Sequence, residues 1–400
     1  MTGRRLLTLN AGSSSLKFAI YEVEANTPLL LSGQVSGLGG APHLKVNAGP
    51  ARLAAETWTD TQGLEAVLAR TFGWLDGAGW GEGVVAVGHR IVHGGLHFHE
   101  PTVLTGTVLK GLEALAPLAP LHQAFNLRGV AMAAAHFPDA LQVGVFDTAF
   151  HAGQPEVARL YALPRDLIAE GLLAYGFHGL SYEYIASVLR GQEGPAAGGR
   201  TIVCHLGSGV SLCALSEGKS VATTMGFSAL EGPPMSTRSG SLDPGIVLHL
   251  MQAKGMSVEA ITDLLYNRSG LLGLSGLSGD MVTLLESALP DARQALDVYV
   301  YRIARQIGSL AAALGGLDTL VFTAGVGENA APIRARILEQ CGWLGVRLDE
   351  AANAAGARRI NLPQSAVMAL VIPTDEQVII ARGVAGLLDP SGALDETPTA

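Results

Sequence analysis

A short stretch near the start of the chain carries residue types that bind phosphate. An apolar run ends at Asn10, passes Gly12 and the three serines 13–15, and resumes as an alternating strand pattern from Lys17. This pattern predicts a β-hairpin whose turn gathers hydroxyl and backbone N–H donors around one anion, with the Lys17 ammonium as a nearby point charge. The first candidate phosphate ligands are Asn10, Ser13, Ser15 and Lys17.

The same pattern returns at residues 201–215, again as a strand, a turn of small residues and a strand. An internal repeat of this length predicts two related domains that present phosphate-binding turns to each other. Two unrelated hairpins are the alternative, because Gly/Ser turns are common in α/β proteins. The matched positions are Asn10 with His205, Gly12 with Gly207, and Ser13 with Ser208.

Charged residues stand where predicted strands end. Arg90 and Arg238 lie in glycine-rich stretches that we interpret as loops beyond apolar strands, where a guanidinium clamps a transferring phosphoryl group. Asp147 follows a buried strand at residues 141–146, and Glu376 begins the last helix. Both acids are candidates for Mg²⁺, and together with the turns and arginines they indicate phosphoryl transfer.

Two further motifs are weaker when judged alone. Gly325 and Gly327 follow a predicted strand and open a helix, an arrangement that favours phosphate but lacks the third glycine of a dinucleotide fingerprint. His178 lies between aromatic and glycine residues at 175–179, unlike a residue on a helix face. A structural histidine and a functional one are both open there.

The elements that must position these residues are strands alternating with helices, twice over, which predicts a duplicated α/β architecture. We expect an N-terminal domain at 1–149 and a C-terminal nucleotide-binding domain at 150–376, with the final helix, 377–400, packing back on the first domain. Residues 191–199, rich in glycine, predict a flexible loop ahead of the second hairpin.

Composition excludes several classes of protein. The 400 residues favour two domains, and 48% apolar with 15% charged residues indicates a folded chain. A net charge of −9 without a basic run argues against nucleic-acid binding. The three scattered cysteines predict reduced thiols in a cytoplasmic protein, and the most apolar predicted helix carries charges, so no membrane span is expected.

Taken in order, these motifs are similar to those of one family. The chain resembles the acetokinase family, which belongs to the larger actin-like ATPase and sugar-kinase fold, and the resemblance runs nearly end to end. The stretches that carry it are 10–18, 88–95, 119–122, 146–151, 175–179, 237–240, 322–329 and 374–376.

The resemblance implies two duplicated domains of the actin-like ATPase (ribonuclease H-like) type, an active-site cleft between them, a homodimer, and Mg²⁺-dependent transfer from ATP to acetate, giving ADP and acetyl phosphate. Mn²⁺ is an alternative metal. The implied catalytic residues are Arg90, Asp147, His178 and Arg238, and Arg90, Val92, Leu121 and Phe177 would bind the acid. His122 and His205 would line the site. The implied nucleotide and phosphate ligands are Asn10, Ser13, Ser15, Lys17, His205, Gly207, Ser208, Gly209, Asp280, Gly325, Gly327, Glu328 and Asn329. Asn10, Asp147 and Glu376 would hold the metal.

Several positions depart from the commoner family pattern. Ser208 stands where asparagine is usual, Ser236 replaces a glycine beside the arginine loop, and Val282 replaces an arginine that helps to hold adenosine. Ala229 replaces a proline of the acid pocket, so we hypothesise that the pocket also admits propionate. The alternatives are therefore a kinase for propionate or another short-chain acid, or a nucleotide-binding homologue without catalysis.

The chemistry of the acceptor distinguishes a kinase for carboxylic acids from a kinase for hydroxyl groups. A small carboxylic acid has a pKa close to that of Asp and Glu, so it is already a nucleophilic anion at pH 7 and needs no strong base. We therefore expect direct in-line transfer, with Asp147 serving the metal or its waters. A kinase with a hydroxyl acceptor would instead use Asp147 as a general base.

Overall fold

The structure is a computed structural model that describes residues 3–12, 15–24, 27–119, 122–193 and 199–388. The chain divides into two units, one formed by Met1–Ala149 with Asp375–Ala400 and the other by Phe150–Thr374. Each unit is built around its own β-sheet. Ser13 and Leu121, two of the predicted site residues, lie outside the described ranges.

The first unit contains a sheet of eight strands in the order β5-β4-β3-β2-β1-β6-β8-β7. The strands from β1 to β5 form antiparallel hairpins, whereas β6 runs parallel to both β1 and β8. The strands are β1 Arg5–Ala11, β2 Ser15–Glu22, β3 Leu29–Ser36, β4 His43–Ala48, β5 Ala51–Thr57, β6 Val84–Ile91, β7 Thr102–Val103 and β8 Leu141–Phe146.

Helices pack on this sheet and bury its central strands. Leu64, Leu68 and Phe72 of α1 join Leu7 and Val87 of the strands in one apolar core. The last helix packs against β1 and β6. Neighbouring residues of a strand point to opposite faces of the sheet, so α1, which packs on Val87, and the last helix, which packs on Gly88, lie on opposite faces. The helices of this unit are α1 Gly63–Gly77, α2 Gly106–Glu113, α3 Gln123–His136 and α15 Glu376–Leu388, with a 3-10 turn at Ala116–Leu118.

The second unit contains a sheet of five strands in the order β11-β10-β9-β12-β13. β9 pairs antiparallel with β10 and parallel with β12, and β12 is parallel to β13. The strands are β9 Arg200–Leu206, β10 Val210–Ser216, β11 Lys219–Thr223, β12 Thr319–Thr323 and β13 Met368–Val371.

One core of this unit joins α6 to the sheet through Tyr182, Ile185, Val203 and Leu215. The long helix α11 packs against β9, β10 and β11. The helices are α4 Glu156–Arg159, α5 Arg165–Ala169, α6 Gly179–Val188, α7 Pro244–Gln252, α8 Val258–Asn267, α9 Gly270–Ser275, α10 Met281–Glu286, α11 Pro290–Leu314, α12 Ala324–Asn329, α13 Ala331–Gln340 and α14 Glu350–Ala354, with 3-10 turns at Ala149–His151 and Gly342–Leu344.

The two sheets share one topology, which confirms the predicted duplication. The order β3-β2-β1-β6-β8 in the first unit matches β11-β10-β9-β12-β13 in the second, with the same antiparallel and parallel neighbours. Both predicted hairpins are present, at β1–β2 and at β9–β10.

Two local predictions were wrong. Arg90 does not lie in a loop: it is the last residue but one of β6 and pairs with Val145, because β6 stays paired with β8 as far as Ile91. The predicted loop at 191–199 begins in a π-helix, Leu189–Glu193, which extends the end of α6. Residues 194–198 lie outside the described ranges.

Among the described helices, none combines the length and the apolar character needed to cross a membrane.

Candidate active site

The parallel strands of the first unit bring three polar side chains to one edge of its sheet. Asn10 lies near the end of β1, Arg90 near the end of β6, and Asp147 directly after β8. These three strands are neighbours, and the carboxyl ends of parallel strands are where α/β sheets bind ligands. Asp147 is almost fully buried, with 1% of its surface exposed.

The Arg90 guanidinium is held in a fixed position by this cluster. Its Nε donates to Asp147 Oδ2 at 3.0 Å, its Nη2 donates to the same oxygen, and its Nη1 lies 3.5 Å from Asn10 Oδ1. Burial by itself lowers the pKa of Arg90, but the nearby carboxylates of Asp147 and Glu376 outweigh burial and raise that pKa above its ordinary value. Arg90 is therefore a permanent cation whose orientation is set by Asp147.

Glu376 brings a second carboxylate to the same place. It is the first residue of α15, and its Oε2 accepts a hydrogen bond from Asn10 Nδ2 at 2.6 Å. Two carboxylates and an amide oxygen are the hard oxygen donors that Mg²⁺ prefers, and Mg²⁺ commonly uses one or two protein carboxylates alongside waters and substrate phosphates. Within the described residues, no three His, Cys, Asp or Glu side chains cluster as a metal cage.

Asn126, in the first turns of α3, ties the ends of β1 and β6 together. Its Oδ1 accepts from the backbone N–H of Val92 at 3.0 Å, and its Nδ2 donates to the carbonyl of Ala11 at 3.1 Å. Both bonds are buried. Ala11 follows Asn10, and Val92 follows Arg90 by two residues, so this single amide sets the spacing between those two side chains.

The segment after β6 is also fixed. Val92, predicted to contact the acid, is buried, and the neighbouring His93 accepts a hydrogen bond from Gly95 N–H through Nδ1 at 2.9 Å. Burial lowers the pKa of His93 to about 4, so the ring is neutral at pH 7. His122, half-buried, is the residue immediately before α3.

The hairpin turn of the first unit is closed by a bond from Gly12 N–H to the Ser15 carbonyl at 2.8 Å. Ser15 begins β2, and Lys17 pairs directly with Asn10 across the two strands. Directly opposed residues point to the same face of a sheet, so the exposed Lys17 lies on the Asn10 side.

In the second unit, two histidine rings stack at the corresponding turn. The rings of His178 and His205 have centroids 4.1 Å apart. The Nδ1 of His178 lies 2.8 Å from Ser211 Oγ, and the Nδ1 of His205 lies 2.8 Å from Ser181 Oγ. The backbone φ of His178 is +58°, an uncommon value outside glycine and one that marks a residue held by its surroundings. Phe177, the preceding residue, is buried.

Arg238 approaches the same turn from the loop before α7. A methyl group added to Gly209 would lie 3.3 Å from His178 Nε2 and 3.7 Å from Arg238 Nη1, so the two side chains converge on this glycine. Arg238 Nη1 donates to the Ala229 carbonyl at 2.9 Å, which holds the guanidinium in place.

A pocket of about 340 Å³ opens beside this turn, within the second unit. Five predicted nucleotide ligands line it, and so do two of the positions that depart from the family pattern, together with several apolar side chains. The predicted ligands are Gly207, Ser208, Asp280, Gly325 and Asn329; the departures are Ser236 and Val282; and the apolar residues include Leu271, Met281, Leu285 and Val326. The lining combines small residues at the turn with apolar side chains, a composition typical of small-molecule pockets.

The remaining predicted ligands have other surroundings. Gly327 is buried, and a methyl group there would lie only 3.3 Å from the carbonyl carbon of Phe322, so this glycine allows close packing of α12 on β12. Glu328 Oε1 accepts from the backbone N–H of Thr374 at 3.2 Å. Asp280 caps α10, and hydrogen bonds from Thr283 lower the pKa of its carboxyl below the usual value.

The turn at α12 rests on a buried arginine that the sequence did not single out. Arg334 is 1% exposed, and its Nη1 donates to the carbonyls of Gly327 and Glu328 at 2.9 and 2.8 Å. Its Nε and Nη2 bond to Asn353. Like Asn126, it supports a predicted ligand segment from behind, and no local motif marks such a residue.

Comparison with known proteins decides the family. The family model described as the acetokinase family matches residues 5–382. The chain belongs to the acetokinase family. Among acetokinase relatives, the acetate kinase of Rhodopseudomonas palustris strain TIE-1 is 50% identical over 391 residues, covering 96% of this chain and 98% of the relative. The acetate kinase of Methylocella silvestris is 46% identical over 403 residues, covering 98% and 99%.

Solved acetokinase structures share the fold. The acetate kinase of Porphyromonas gingivalis superimposes with a TM-score of 0.84 at 35% identity, covering 96% of this chain and 100% of that chain. A propionate kinase from Francisella tularensis gives a TM-score of 0.86 at 33% identity, covering 95% and 98%. The two-sheet α/β architecture is thus the actin-like ATPase fold of this family.

Proposed function

We propose that the chain, an acetate kinase by family and by relatives, transfers the terminal phosphoryl group of ATP to acetate by direct in-line attack. One carboxylate oxygen of acetate forms a bond to the γ-phosphorus, the bond from that phosphorus to the β–γ bridging oxygen breaks, and the electron pair leaves with ADP. The reverse reaction returns the phosphoryl group from acetyl phosphate to ADP. The observation that carries this proposal is the Arg90 cation, held by Asp147 beside Asn10 and Glu376.

Positive charge is what this reaction requires of a protein. Its nucleophile and its electrophile are both anionic, and the acid is already ionised at pH 7, so no base has to remove a proton. We assign Arg90, Arg238 and His178 to the transferring phosphoryl group, where fixed donors stabilise the charge of the transition state. Val92 and Phe177, both buried apolar residues, and Leu121 are assigned to the methyl side of the acid.

We propose that Asp147, Glu376 and Asn10 hold Mg²⁺, with Mn²⁺ as an alternative. When bound, the metal neutralises charge on the β- and γ-phosphate oxygens. Asp147 has a second task in the protein itself, because it orients Arg90 through two hydrogen bonds.

We assign the nucleotide to the pocket of the second unit, with the base among its apolar residues and the phosphates at the 207–209 turn. The turn of the first unit, with Ser13, Ser15 and Lys17, is proposed as a further phosphate contact.

The experiment that tests the proposal is acyl-phosphate formation with Mg-ATP, trapped by hydroxylamine, across formate, acetate, propionate and butyrate. We expect product with acetate and a smaller or equal yield with propionate. A larger yield with propionate would favour the propionate kinase alternative. No product with any acid, while ATP binds in a calorimeter, would overturn the kinase proposal and leave a non-catalytic nucleotide-binding protein.

We further propose a homodimer, since α7 has no buried residue in the single chain. Its Ile246, Leu248 and Met251 are 49%, 54% and 43% exposed, and Val258 of α8 is 62% exposed. Exposed apolar side chains in this number favour an interface with a second copy. The two units are proposed as the two domains, and the three free cysteines support a reducing, cytoplasmic location.

A further inference from the structure

One hydroxyl group closes the turn at residues 226–231, which precedes the arginine loop. Tyr161 Oη accepts a hydrogen bond from the backbone N–H of Phe227 at 2.9 Å and donates its own proton to the carboxylate of Glu231. The phenol therefore bridges the two ends of the turn. Gly226 leaves room for this bridge, since a side chain there would overlap both Tyr161 Oη and Glu231 Oε2.

The turn in its closed form supports both Arg238 and the segment that carries His178. Its Ala229 carbonyl accepts from Arg238 Nη1 at 2.9 Å. Its Gly226 carbonyl accepts from the N–H groups of Tyr175 and Gly176 at 3.1 and 3.2 Å, in the segment that leads to His178. The positions of Arg238 and of the His178 segment thus both depend on the shape of one short turn.

The hydrogen-bonded bridge persists at neutral pH. Tyr161 is half-buried, and burial together with the neighbouring Glu231 raises the pKa of its hydroxyl, so the phenol keeps the proton that it donates. A hydrogen bond from a neutral hydroxyl to a carboxylate is among the stronger kinds in proteins.

We propose that Tyr161 and Glu231 are positioning residues, which lock the 226–231 turn and through it place Arg238 and His178 for phosphoryl transfer. The inference rests on the proposed function for its kinetic part, but its structural part stands on the bonds of the turn alone.

The structural part is tested by amide hydrogen exchange on the full chain, comparing wild type, Tyr161→Phe and a control, Tyr184→Phe. Tyr184 is a half-buried tyrosine of the same unit that packs against the core around Val203. We expect peptides that span residues 226–240 to exchange at least about 10-fold faster in Tyr161→Phe and unchanged in Tyr184→Phe, because opening of the turn exposes its amides. Equal exchange in all three proteins would overturn the inference, whether or not the chain is a kinase.

The kinetic part is tested by the ratio of each variant to wild type in the acyl-phosphate assay. We expect Tyr161→Phe to lower kcat about 10-fold or more with KM for ATP within about 2-fold, since a small displacement of a transfer group costs rate rather than binding. Glu231→Gln, whose side-chain oxygen still accepts from Tyr161, is expected to keep more activity than Glu231→Ala.

A double-mutant cycle shows whether Tyr161 acts through Arg238. In an Arg238→Ala background the further change Tyr161→Phe is expected to lower kcat by a clearly smaller factor than in wild type, because one of the two groups that it positions is already absent. A 10-fold loss in both backgrounds would show independent effects and overturn the assignment to Arg238. If the wild type has no activity, the proposed function is refuted, and the exchange experiment alone tests whether Tyr161 and Glu231 lock the turn.

Discussion

Arg90 shows how a single residue takes its properties from its neighbours. In water a guanidinium is a mobile, hydrated cation, whereas here Asp147 fixes its plane and the carboxylates around it keep it protonated. Its position in a strand restricts it further, because its backbone pairs with Val145 of β8. Such a cation needs no reorganisation when negative charge develops in a transition state, which is the condition for efficient electrostatic catalysis.

Replacing either site arginine with alanine is expected to lower kcat by roughly 10³-fold, by analogy with loss of a transition-state arginine in other phosphoryl-transfer enzymes. The measurement is steady-state acyl-phosphate formation for Arg90→Ala and Arg238→Ala. Arg128→Ala is the matched control, because Arg128 is an exposed arginine paired with Glu65 at 2.8 Å. The assignment fails if both site variants retain more than about a tenth of the wild-type kcat.

Three buried histidines predict that stability falls in mild acid. Burial lowers the pKa of His89, His93 and His151 to about 4 from an ordinary 6.5. The unfolded chain therefore takes up protons that the folded chain refuses, so the stabilising effect is complete above pH 6.5 and is lost as the pH falls toward 4. Each ring contributes up to about 1.4 kcal/mol per pH unit in that window.

Chemical unfolding at pH 7, 6 and 5 measures this loss. His89→Gln is expected to lose less stability between pH 7 and pH 5 than wild type does, since glutamine has no proton to gain. His97→Gln serves as the control, because His97 is exposed and folding leaves its ring in water. An unchanged pH slope in His89→Gln would contradict the prediction.

The sequence predicted the charged residues of the site but not those that hold them. Arg90, Asp147 and Glu376 stand next to recognisable strand or helix ends, so local pattern is enough to find them. Tyr161 and Glu231 are 70 residues apart, and Asn126 bonds residues 34 and 115 positions away. A contact at that distance follows from the folded topology, and a single sequence carries no local signal for it.

At the scale of elements, the spacing of strand ends decides the geometry of the site. β1 and β6 are paired as far as Leu9 and His89, where their ladder stops, and Asn126 supplies the next pair of bonds. A side chain of helix α3 thus continues the connection between the two strands beyond the end of their ladder, next to Asn10 and Arg90. Strand periodicity predicted these elements. The end of β6 was placed too early, because the glycines that follow Ile91 suggested that the loop had already begun at Arg90.

Asn126→Ala is expected to destabilise the protein by about 2–4 kcal/mol, because it leaves a buried N–H and a buried carbonyl without partners. It is also expected to reduce kcat by more than about 10-fold, since Asn10 and Arg90 lose their fixed spacing. Denaturant unfolding and the acyl-phosphate assay measure the two effects. Asn267→Ala, which removes an exposed amide bonded to Asp263 at 3.1 Å, should stay within about 0.5 kcal/mol of wild type. Wild-type kinetics in Asn126→Ala would refute the spacing role.

At the scale of the molecule, duplication explains why the sequences of the two hairpins, β1–β2 and β9–β10, are similar. Each sheet begins with a hairpin, and two parallel strands extend it on the same side, so equivalent turns arise at equivalent sheet edges. The two sheet edges carry different groups: carboxylates and an arginine at one, stacked histidines and an open pocket at the other. Sequence periodicity revealed the repeat, but the different groups at the two edges became visible only with the fold.

The proposed dimer gives a prediction at this scale. Leu248→Glu places a charge on the apolar surface of α7 and is expected to convert a dimer into monomers, because an unpaired charge is costly in an apolar interface. Light scattering after size-exclusion chromatography measures the mass. The control is Val157→Glu, at a site that is 87% exposed on α4. A monomeric wild type, or a dimeric Leu248→Glu, would refute the α7 interface.

The last helix has a consequence for the order in which the chain is completed. A ribosome makes β1, β6 and β8 first, but Ile380 and Val384, which cover Gly88 of β6, are made near the end. Glu376 arrives with them and is the last of the charged residues of the first sheet edge. A nascent chain that stops before residue 376 leaves this face of its earliest sheet uncovered. The first unit to be synthesised is therefore the last to be finished, and it cannot be complete until the whole second unit has been translated.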